Sequence, residues 1–242
     1  MRIPRIYHPN LFETNQTITL SDDAANHVGR VLRMKPQQQI VLFNGDGCDY
    51  ECTLTEVSRK KVLAHVDASK PLSNESPLAI HLGQVISRGD RMEFTIQKSV
   101  ELGVSEITPL YSERCGVKLN AERLAKKVEQ WQKVVISACE QSGRAKVPTV
   151  NPVIELDEWL AKPFSGTRVN LHPYANQTMN QLDIFDGAAQ LLIGPEGGLS
   201  DEEISAADAA GFKNVLMGPR ILRTETAALA ALSMLQCLYG DL

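Results

Sequence analysis

From residue 78 onward, the sequence alternates between short apolar runs and longer segments with apolar residues at helical spacing. The apolar runs predict buried strands, and the longer segments predict helices. Strands that alternate with helices favour an α/β fold, with a mostly parallel sheet covered on both faces. The predicted strands span 78–86, 107–111, 169–171, 190–193 and 214–217, and the predicted helices span 91–102, 121–141, 201–210 and a last segment that begins at Thr224.

Several ends of these helices carry recognisable signals. Ser200 and Glu203 have the S-x-x-E spacing of a capping box, and Gly103 is suited to end the helix that precedes it. Thr224 is predicted to be the N-cap of the last helix. Glu225 then falls in the first turn, where the helix dipole favours an acidic side chain.

The residues before this region indicate a smaller, β-rich domain. A helix is predicted at 22–32, a strand at 39–44, and a hairpin from 50–57 and 61–66, which together suggest a compact barrel. The segment KPLSNESP that follows has the proline and serine content of a linker. The predicted division is a domain at 1–70, a linker at 71–77 and a domain at 78–242.

Composition narrows the class of protein. The apolar fraction of 43% is ordinary for a globular chain, and no window reaches the roughly 18 uninterrupted apolar residues of a membrane span. The start, MRIPRIYHPN, lacks the apolar run of a signal peptide, which favours a cytoplasmic protein without a membrane partner. The net charge of −4 argues mildly against a nucleic-acid partner, although a local basic face can still bind phosphates.

Five cysteines occur without a CxxC pair or histidines at metal-ligand spacing. We therefore expect free, mostly buried thiols and no metal site. They lie at positions 48, 52, 115, 139 and 237.

Three segments at strand ends contain the residue types of a binding site. GPEGG at 194–198 joins a strand to the capped helix, and its glycines let the backbone approach a ligand closely. MGPRILRTE at 217–225 joins the last strand to the last helix, and LHP at 171–173 ends another strand. Carboxyl ends of parallel strands meet at one edge of a sheet, so we expect a single site there. For each segment the structural alternative is an ordinary connection or tight turn, and for His172 a hydrogen-bonded structural role.

The glycine pattern disfavours the two common nucleotide-binding signatures. Pro195 and Glu196 interrupt any GxGxxG at this junction, and no GxxxxGK[ST] occurs in the chain. A phosphate-binding ATP or NAD enzyme that uses GPEGG as a phosphate nest remains an alternative. Calorimetry with ATP and with NAD tests this alternative.

The segments LLIGPEGGLS, LMGPRILRTETAAL and QKSVELGVSEITP, with RIYHP and HVGRVLRM near the start, resemble the ribosomal RNA small subunit methyltransferase E family of the SPOUT superfamily. Members of this family methylate N3 of a uridine in 16S rRNA with S-adenosylmethionine as cofactor. The resemblance implies an N-terminal PUA-like RNA-binding barrel and a trefoil-knotted α/β domain. It also implies a homodimer with the cofactor pocket near the subunit interface, the 16S rRNA or small subunit as partner, and no metal.

The resemblance places S-adenosylmethionine against the three strand-end segments. The implied cofactor-binding residues are Leu171, His172, Ile193, Gly194, Pro195, Glu196, Gly197, Gly198, Met217, Gly218, Leu222, Arg223, Thr224, Thr226 and Ala227.

Two charged residues at this mouth are candidates for the chemistry. Uracil N3 must lose a proton to become nucleophilic, which calls for a proton acceptor or for cations near the developing anion. Arg223 is the candidate for stabilising the anion, and Glu225 is the candidate for positioning or proton acceptance. The structural alternatives are an interface salt bridge for Arg223 and helix-dipole stabilisation for Glu225.

A basic track is predicted to face the rRNA, because long cations at loops and helix ends reach phosphates. Its candidate members are Arg2, Arg5, Arg30, Arg33, Arg88, Arg114 and Arg144. Two further functional alternatives remain open: methylation of a different RNA nucleotide, and a non-catalytic rRNA-binding or assembly module.

Overall fold

A computed structural model of the protein describes residues 3–242, which form two compact units. The first unit contains the described residues up to Glu75 together with Cys139–Val147. The second contains Ser76–Ala138 together with Pro148–Leu242. The change of character near residue 70 was visible in the sequence, whereas nothing in the sequence indicated that 139–147 belongs with the first unit.

Five strands form the sheet of the first unit, in the order β1-β3-β4-β5-β2. The β1–β3 pair is parallel and the other pairs are antiparallel. Inward-facing side chains of these strands, with Phe12, Leu20 and Val28, make one hydrophobic core. The strands are β1 Arg5–Tyr7, β2 Thr17–Thr19, β3 Gln39–Phe43, β4 Cys48–Val57 and β5 Val62–Pro71.

The helix predicted at 22–32 is shorter in the structure. Helix α1 spans Asp22–Asn26, and a π-helical turn, His27–Val31, follows it. Gly29 lies within that turn, where a residue without a side chain weakens regular helix. The turn leaves Val31 63% exposed, next to the exposed Arg30.

Eight strands form the main sheet of the second unit, in the order β11-β13-β10-β12-β6-β7-β8, with β9 also paired to β7. Every recorded pair in this sheet is parallel, as the alternation predicted. The strands are β6 Ala79–Val85, β7 Glu106–Tyr111, β8 Thr149–Val150, β9 Ile154–Glu155, β10 Thr167–Leu171, β11 Gln177–Thr178, β12 Ala188–Ile193 and β13 Phe212–Leu216.

Helices of the second unit begin and end close to the predicted positions. The capping box is present, with Ser200 Oγ accepting from the Glu203 N–H, and Gly103 has a φ of +82° after α2. The predicted cap at Thr224 is wrong: Arg223 occupies the N-cap position, and Thr224 is the first helical residue. The helices are α2 Arg91–Glu101, α3 Ala121–Ser142, α4 Leu156–Leu160, α5 Asp201–Ala209 and α6 Thr224–Tyr239. The last residues of α3, from Cys139 onward, belong to the first unit.

The elements that sequence reasoning missed are all short. Strands β1, β2, β8, β9 and β11 and helix α4 have between two and five residues each. Such lengths are too small for a periodic pattern to develop, so their position depends on the neighbours they pair with.

All five cysteines are free, as expected. Cys52, Cys115 and Cys139 are buried, whereas Cys237 is exposed. Burial raises the pKa of the Cys52 and Cys139 thiols to about 12, so both stay protonated and unreactive near neutral pH. Within residues 3–242, no helix is long and apolar enough to cross a membrane.

Gly83 in the centre of β6 lies directly against the buried ring of Trp159, and a Cβ at this position would overlap the ring. We expect Gly83→Ala to destabilise the second unit by about 1–3 kcal/mol or more, since overpacking forces neighbours out of place. Gly197→Ala is the matched control, because its Cβ meets nothing closer than 3.6 Å. Both tryptophans, Trp131 and Trp159, belong to the second unit. Thermal unfolding followed by tryptophan fluorescence therefore measures the effect, and equal midpoints for the two variants would contradict the packing argument.

Candidate functional site

A cleft of about 660 Å³ opens at the carboxyl ends of β10, β12 and β13. These three strands are neighbours in the sheet and run parallel, so their ends lie side by side. The structure therefore brings together LHP, GPEGG and MGPRILRTE, as the sequence predicted.

Nearly all of the predicted cofactor-binding residues line this cleft. They are Leu171, His172, Ile193, Gly194, Pro195, Glu196, Gly198, Met217, Gly218, Leu222, Arg223, Thr224 and Ala227. Two predicted residues lie elsewhere. Gly197 lines an adjoining cleft beside Arg114, and Thr226 is exposed on α6.

Two glycines allow the loops of the cleft to turn. Gly198 and Gly218 have φ angles of +70° and +74°, which side-chain-bearing residues rarely adopt. Nothing lies within 4 Å of a Cβ built at either position, so backbone conformation, and not crowding, favours glycine there.

His172 and Tyr174 lie on the β10 side of the cleft. The Tyr174 backbone N–H donates to His172 Nδ1 at 3.3 Å, and the two rings meet edge to face with centroids 5.9 Å apart. His172 therefore has the hydrogen-bonded structural role that was its alternative reading, in addition to a place in the cleft wall.

Thr224 connects two of the three segments. Its hydroxyl donates to the carbonyl oxygen of Gly194 at 2.8 Å and accepts from Gln84 Nε2 at 3.0 Å. Thr224 and Gln84 are both buried. The start of α6 is thus tied to the start of the GPEGG loop.

Glu196 is the acidic residue of GPEGG, and it lies among cations. Its Oε1 accepts from the Arg88 backbone N–H at 3.2 Å and from Arg91 Nη1 at 3.3 Å. Burial raises the pKa of the Glu196 carboxyl, but hydrogen bonds from its own backbone and that of Arg88, with the nearby arginine charges, outweigh burial and hold the pKa below its ordinary value. Glu196 is therefore a carboxylate at neutral pH.

The two predicted catalytic residues occupy different surroundings. Arg223 is exposed at the rim of the cleft and has no ion pair with any residue in the described part of the chain. Glu225 lies behind the rim with its side chain 14% exposed, and it does not line the cleft. Its Oε1 is 4.0 Å from Arg91 Nε, while its Oε2 is buried and has no hydrogen-bond partner in the described part of the chain. An unsatisfied buried carboxylate oxygen is costly, which suggests that a ligand satisfies it.

Four members of the predicted basic track are exposed. Arg30 and Arg33 belong to the first unit, and Arg88 and Arg114 belong to the second. Arg114 Nη1 donates to the carbonyl oxygen of Leu199 at 3.2 Å and so supports the loop after GPEGG. Arg2 lies outside the described residues.

Arg5 and Arg144 have structural roles, and their assignment to the basic track is corrected. Arg5 Nε donates to Asp49 Oδ2 at 3.1 Å, and its guanidinium lies 4.6 Å from the centre of the Phe43 ring. Arg144 is 6% exposed and donates from Nε to both carboxylate oxygens of Glu75 at 3.2 Å. Guanidiniums that are buried and paired within the first unit are not available to phosphates.

Sequence reasoning missed several residues of the cleft. Tyr174 and Ile221 are more than 80% exposed at its rim, and α5 contributes Asp201. Arg91 lines both this cleft and the adjoining one. The positions of Ile221 within MGPRILRTE and of Tyr174 directly after LHP were a usable signal, whereas Arg91 looked like any charge in a first helical turn.

Family models match both parts of the chain. An RNA methyltransferase domain matches residues 74–236, and an RNA methyltransferase PUA domain matches residues 20–67. The chain is 40% identical to the ribosomal RNA small subunit methyltransferase E of Buchnera aphidicola subsp. Schizaphis graminum, over 100% of this chain and 98% of that protein. The chain belongs to the ribosomal RNA small subunit methyltransferase E family.

Other relatives agree over similar lengths. The methyltransferase E of Bacillus subtilis is 31% identical over 95% of this chain and 94% of its own. A methyltransferase of Legionella pneumophila, solved with bound SAM, is 44% identical with a TM-score of 0.97 over 100% of both chains. The methyltransferase E of Neisseria gonorrhoeae, bound to S-adenosylmethionine, is 44% identical with a TM-score of 0.93 over 99% of both chains.

The family and the fold class predicted from the motifs are therefore confirmed. This chain has an N-terminal PUA domain and a SPOUT-type α/β domain with a mostly parallel sheet. Within residues 3–242, no group of three or more His, Cys, Asp or Glu side chains is arranged to hold a metal ion.

The link between Thr224 and Gly194 leads to a test of how the cleft is held. Thr224→Val keeps the shape of the side chain but leaves the Gly194 carbonyl without its donor, so we expect a loss of about 1–3 kcal/mol in the free energy of unfolding. Thr226→Val, two residues further along α6 and exposed, should change the free energy of unfolding by less than about 0.5 kcal/mol. Urea unfolding measures both values, and similar losses would argue against the link.

Proposed function

We propose that this protein transfers a methyl group from S-adenosylmethionine to N3 of a uridine in the 16S rRNA of the small ribosomal subunit. One observation carries the proposal: in a chain that belongs to the methyltransferase E family over its full length, three separate motifs form one cleft at the edge of the parallel sheet. Relatives with the same fold bind the cofactor named here.

The residues of the cleft fit a cofactor of this kind. Its volume of about 660 Å³ is within the range of roughly 300–1,000 Å³ for small-molecule sites. Leu171, Ile193, Met217 and Leu222 supply apolar walls for an adenine ring. A Cβ on Gly194 would lie 3.1 Å from Leu199 Cγ, so glycine keeps this part of the cleft open. The cofactor supplies a methyl group that a sulfonium has already activated.

The remaining task for the protein is to orient the uracil and to manage one proton. The neutral base carries a proton on N3, and an acceptor must remove it before the nitrogen can attack. Glu225 Oε2 is suited to accept that proton, because it is a buried acceptor without a partner. Glu225 directly follows Arg223 and Thr224, which line the cleft, so we infer that a base bound at this part of the rim comes within reach of its carboxylate.

Arg223 complements this acceptor with a positive charge. As N3 loses its proton, negative charge spreads over the two carbonyl oxygens of the uracil. The exposed guanidinium of Arg223, which has no ion pair of its own within residues 3–242, is free to donate to those oxygens.

The first unit offers a surface for the RNA. Arg30 and Arg33 flank the exposed Val31 and Leu32 at the end of the π-helical turn. Cations of this kind bind phosphates, and apolar side chains between them contact sugars or bases. We infer that this turn, with the exposed Arg88 and Arg114 of the second unit, contacts the rRNA.

A homodimer in the cytoplasm completes the proposal. Helix α6 exposes Met234, Cys237 and Leu238, and α2 exposes Phe94 at 46%. Apolar side chains grouped on packed helices are typical of a subunit interface. In a monomer these apolar side chains would be in contact with water, whereas a second copy of the chain would bury them.

Mass spectrometry of 16S rRNA from cells with and without the protein tests the reaction. We expect one uridine to carry an N3-methyl group only when the wild-type chain is present.

Arg223→Ala should lower methylation about a hundredfold at saturating cofactor, because the charge that stabilises the anion is removed. Arg123→Ala, an exposed arginine on α3, is the matched control and should restore methylation fully. Methylation of a different base, or of none, would overturn the proposed reaction, and near-wild-type turnover in Arg223→Ala would overturn the role of Arg223.

The surface in the first unit is tested by the salt dependence of RNA binding. Arg30→Ala with Arg33→Ala should weaken binding to 16S rRNA and lower the slope of log K against log salt by about one to two. Arg59→Ala with Lys60→Ala removes the same charge from the exposed turn between β4 and β5 and should leave the slope nearly unchanged. Equal slopes for the two double variants would place the RNA elsewhere.

A further inference from the structure

Arg91 joins two acidic side chains that belong to different segments of the site. Its Nη1 donates to Glu196 Oε1 at 3.3 Å, and its Nε lies 4.0 Å from Glu225 Oε1. Glu196 is part of GPEGG, Glu225 is in the first turn of α6, and Arg91 is the first residue of α2. One guanidinium thus connects three elements that are far apart in the sequence.

Without the Arg91 guanidinium, the carboxylates of Glu196 and Glu225 would each lose a positive charge beside them. Glu196 has other donors, since the Arg88 backbone N–H also binds its Oε1. Within the described part of the chain, Arg91 is the one recorded charge partner of Glu225. The orientation of Glu225 therefore depends on Arg91 more than the orientation of Glu196 does.

The two oxygens of Glu225 have different roles in this arrangement. Oε1 lies 4.0 Å from Arg91 Nε, and Oε2 is buried without a hydrogen-bond partner among residues 3–242. At 4.0 Å the contact is an ion pair without a hydrogen bond, so Arg91 acts on Glu225 by attracting Oε1 towards its charge. This leaves Oε2 as the oxygen with room for a further donor.

We propose that Arg91 is a positioning residue that holds Glu225 Oε1, together with Glu196, so that Glu225 Oε2 faces the N3–H of the target uracil. The inference rests on the proposed function. In the step that it serves, the N3–H bond breaks and its proton moves to Glu225 Oε2, while the nitrogen electron pair forms the new bond to the methyl carbon. The carbon–sulfur bond of the cofactor breaks and its electrons remain on sulfur, which becomes a neutral thioether. Glu225 later releases the proton to water.

A simple surface ion pair, with no role in positioning Glu225, predicts a different effect of removing Arg91. The Arg91 side chain is 45% exposed, and exposed pairs contribute little to stability. If Arg91 were only such a pair, its removal would resemble the removal of Lys98. Lys98 lies on the same helix and pairs with Glu101 at 2.8 Å, away from the cleft. Lys98→Gln is therefore the matched control.

Steady-state kinetics separates positioning from binding. We expect Arg91→Gln to lower kcat about tenfold to a hundredfold, because the acceptor is misplaced, and to change the Kd for S-adenosylmethionine less than about threefold. Arg91→Lys should recover part of kcat, and Lys98→Gln should keep all of it. Wild-type kcat in Arg91→Gln would overturn the proposal, and so would a loss that appears only in the cofactor Kd.

A double-mutant cycle then asks whether Arg91 acts through Glu225. If it does, Arg91→Gln with Glu225→Gln should turn over no more slowly than Glu225→Gln alone. Multiplied losses in the double variant would show independent roles and overturn the proposal. Wild-type turnover in Glu225→Gln would also overturn it.

Unfolding of the cofactor-free protein gives a readout that does not depend on activity. In urea, the shift of the midpoint for the double variant should be smaller than the sum of the two single shifts, because Arg91 no longer compensates a charge at Glu225. Additive shifts would show that the two side chains are not coupled and would overturn the bridge. Should the wild-type chain fail to methylate 16S rRNA, the proposed function fails, whereas this cycle still decides whether Arg91 holds Glu225.

Discussion

Parallel pairing of β10 with both β12 and β13 is the constraint on which the site depends. Each of these strands ends in a segment with glycine or proline, and the shared direction brings the three segments to one edge. The hydrogen bond from Thr224 to Gly194 then fixes the start of α6 against the GPEGG loop. Without parallel pairing in this order, the same motifs would lie on opposite edges and no common cleft would form.

Electrostatics adds a second level of organisation to that geometry. Glu196 is kept ionised by hydrogen bonds and by arginine charges, despite partial burial. Among residues 3–242, Glu225 has less support, with one cation at 4.0 Å and one oxygen without a hydrogen-bond partner. Because Glu225 Oε2 lacks a donor from the described residues, it can accept a hydrogen bond from a donor on the substrate. The asymmetry between the two carboxylates thus matches a division of labour, in which one shapes a loop and the other takes part in the reaction.

Sequence reasoning predicted the parallel sheet and the three strand-end segments, and nearly all of the residues that it assigned to the cofactor line the cleft, because local patterns carry these features. It failed where a side chain depends on distant partners. Arg5 and Arg144 looked like free cations, yet Asp49 and Glu75 neutralise them in the first unit. Thr224 had the residue type of a cap, but tertiary contacts with Gly194 and Gln84 use its hydroxyl instead. Arg91 carried no signal at all, since its role comes from the two carboxylates that folding brings beside it.

The segment 139–147 affects how this protein can be divided. Within the first unit, Cys139 O accepts from Arg5, Glu140 Oε1 accepts from the Tyr7 backbone N–H, and Gly143 O accepts from Asn74. The chain therefore finishes the first unit only after it has built the first strands and helices of the second. A fragment cut at residue 75 would expose backbone and side-chain groups that 139–147 normally satisfies. A single crossover at residue 75 would therefore not transfer the first unit intact to another protein.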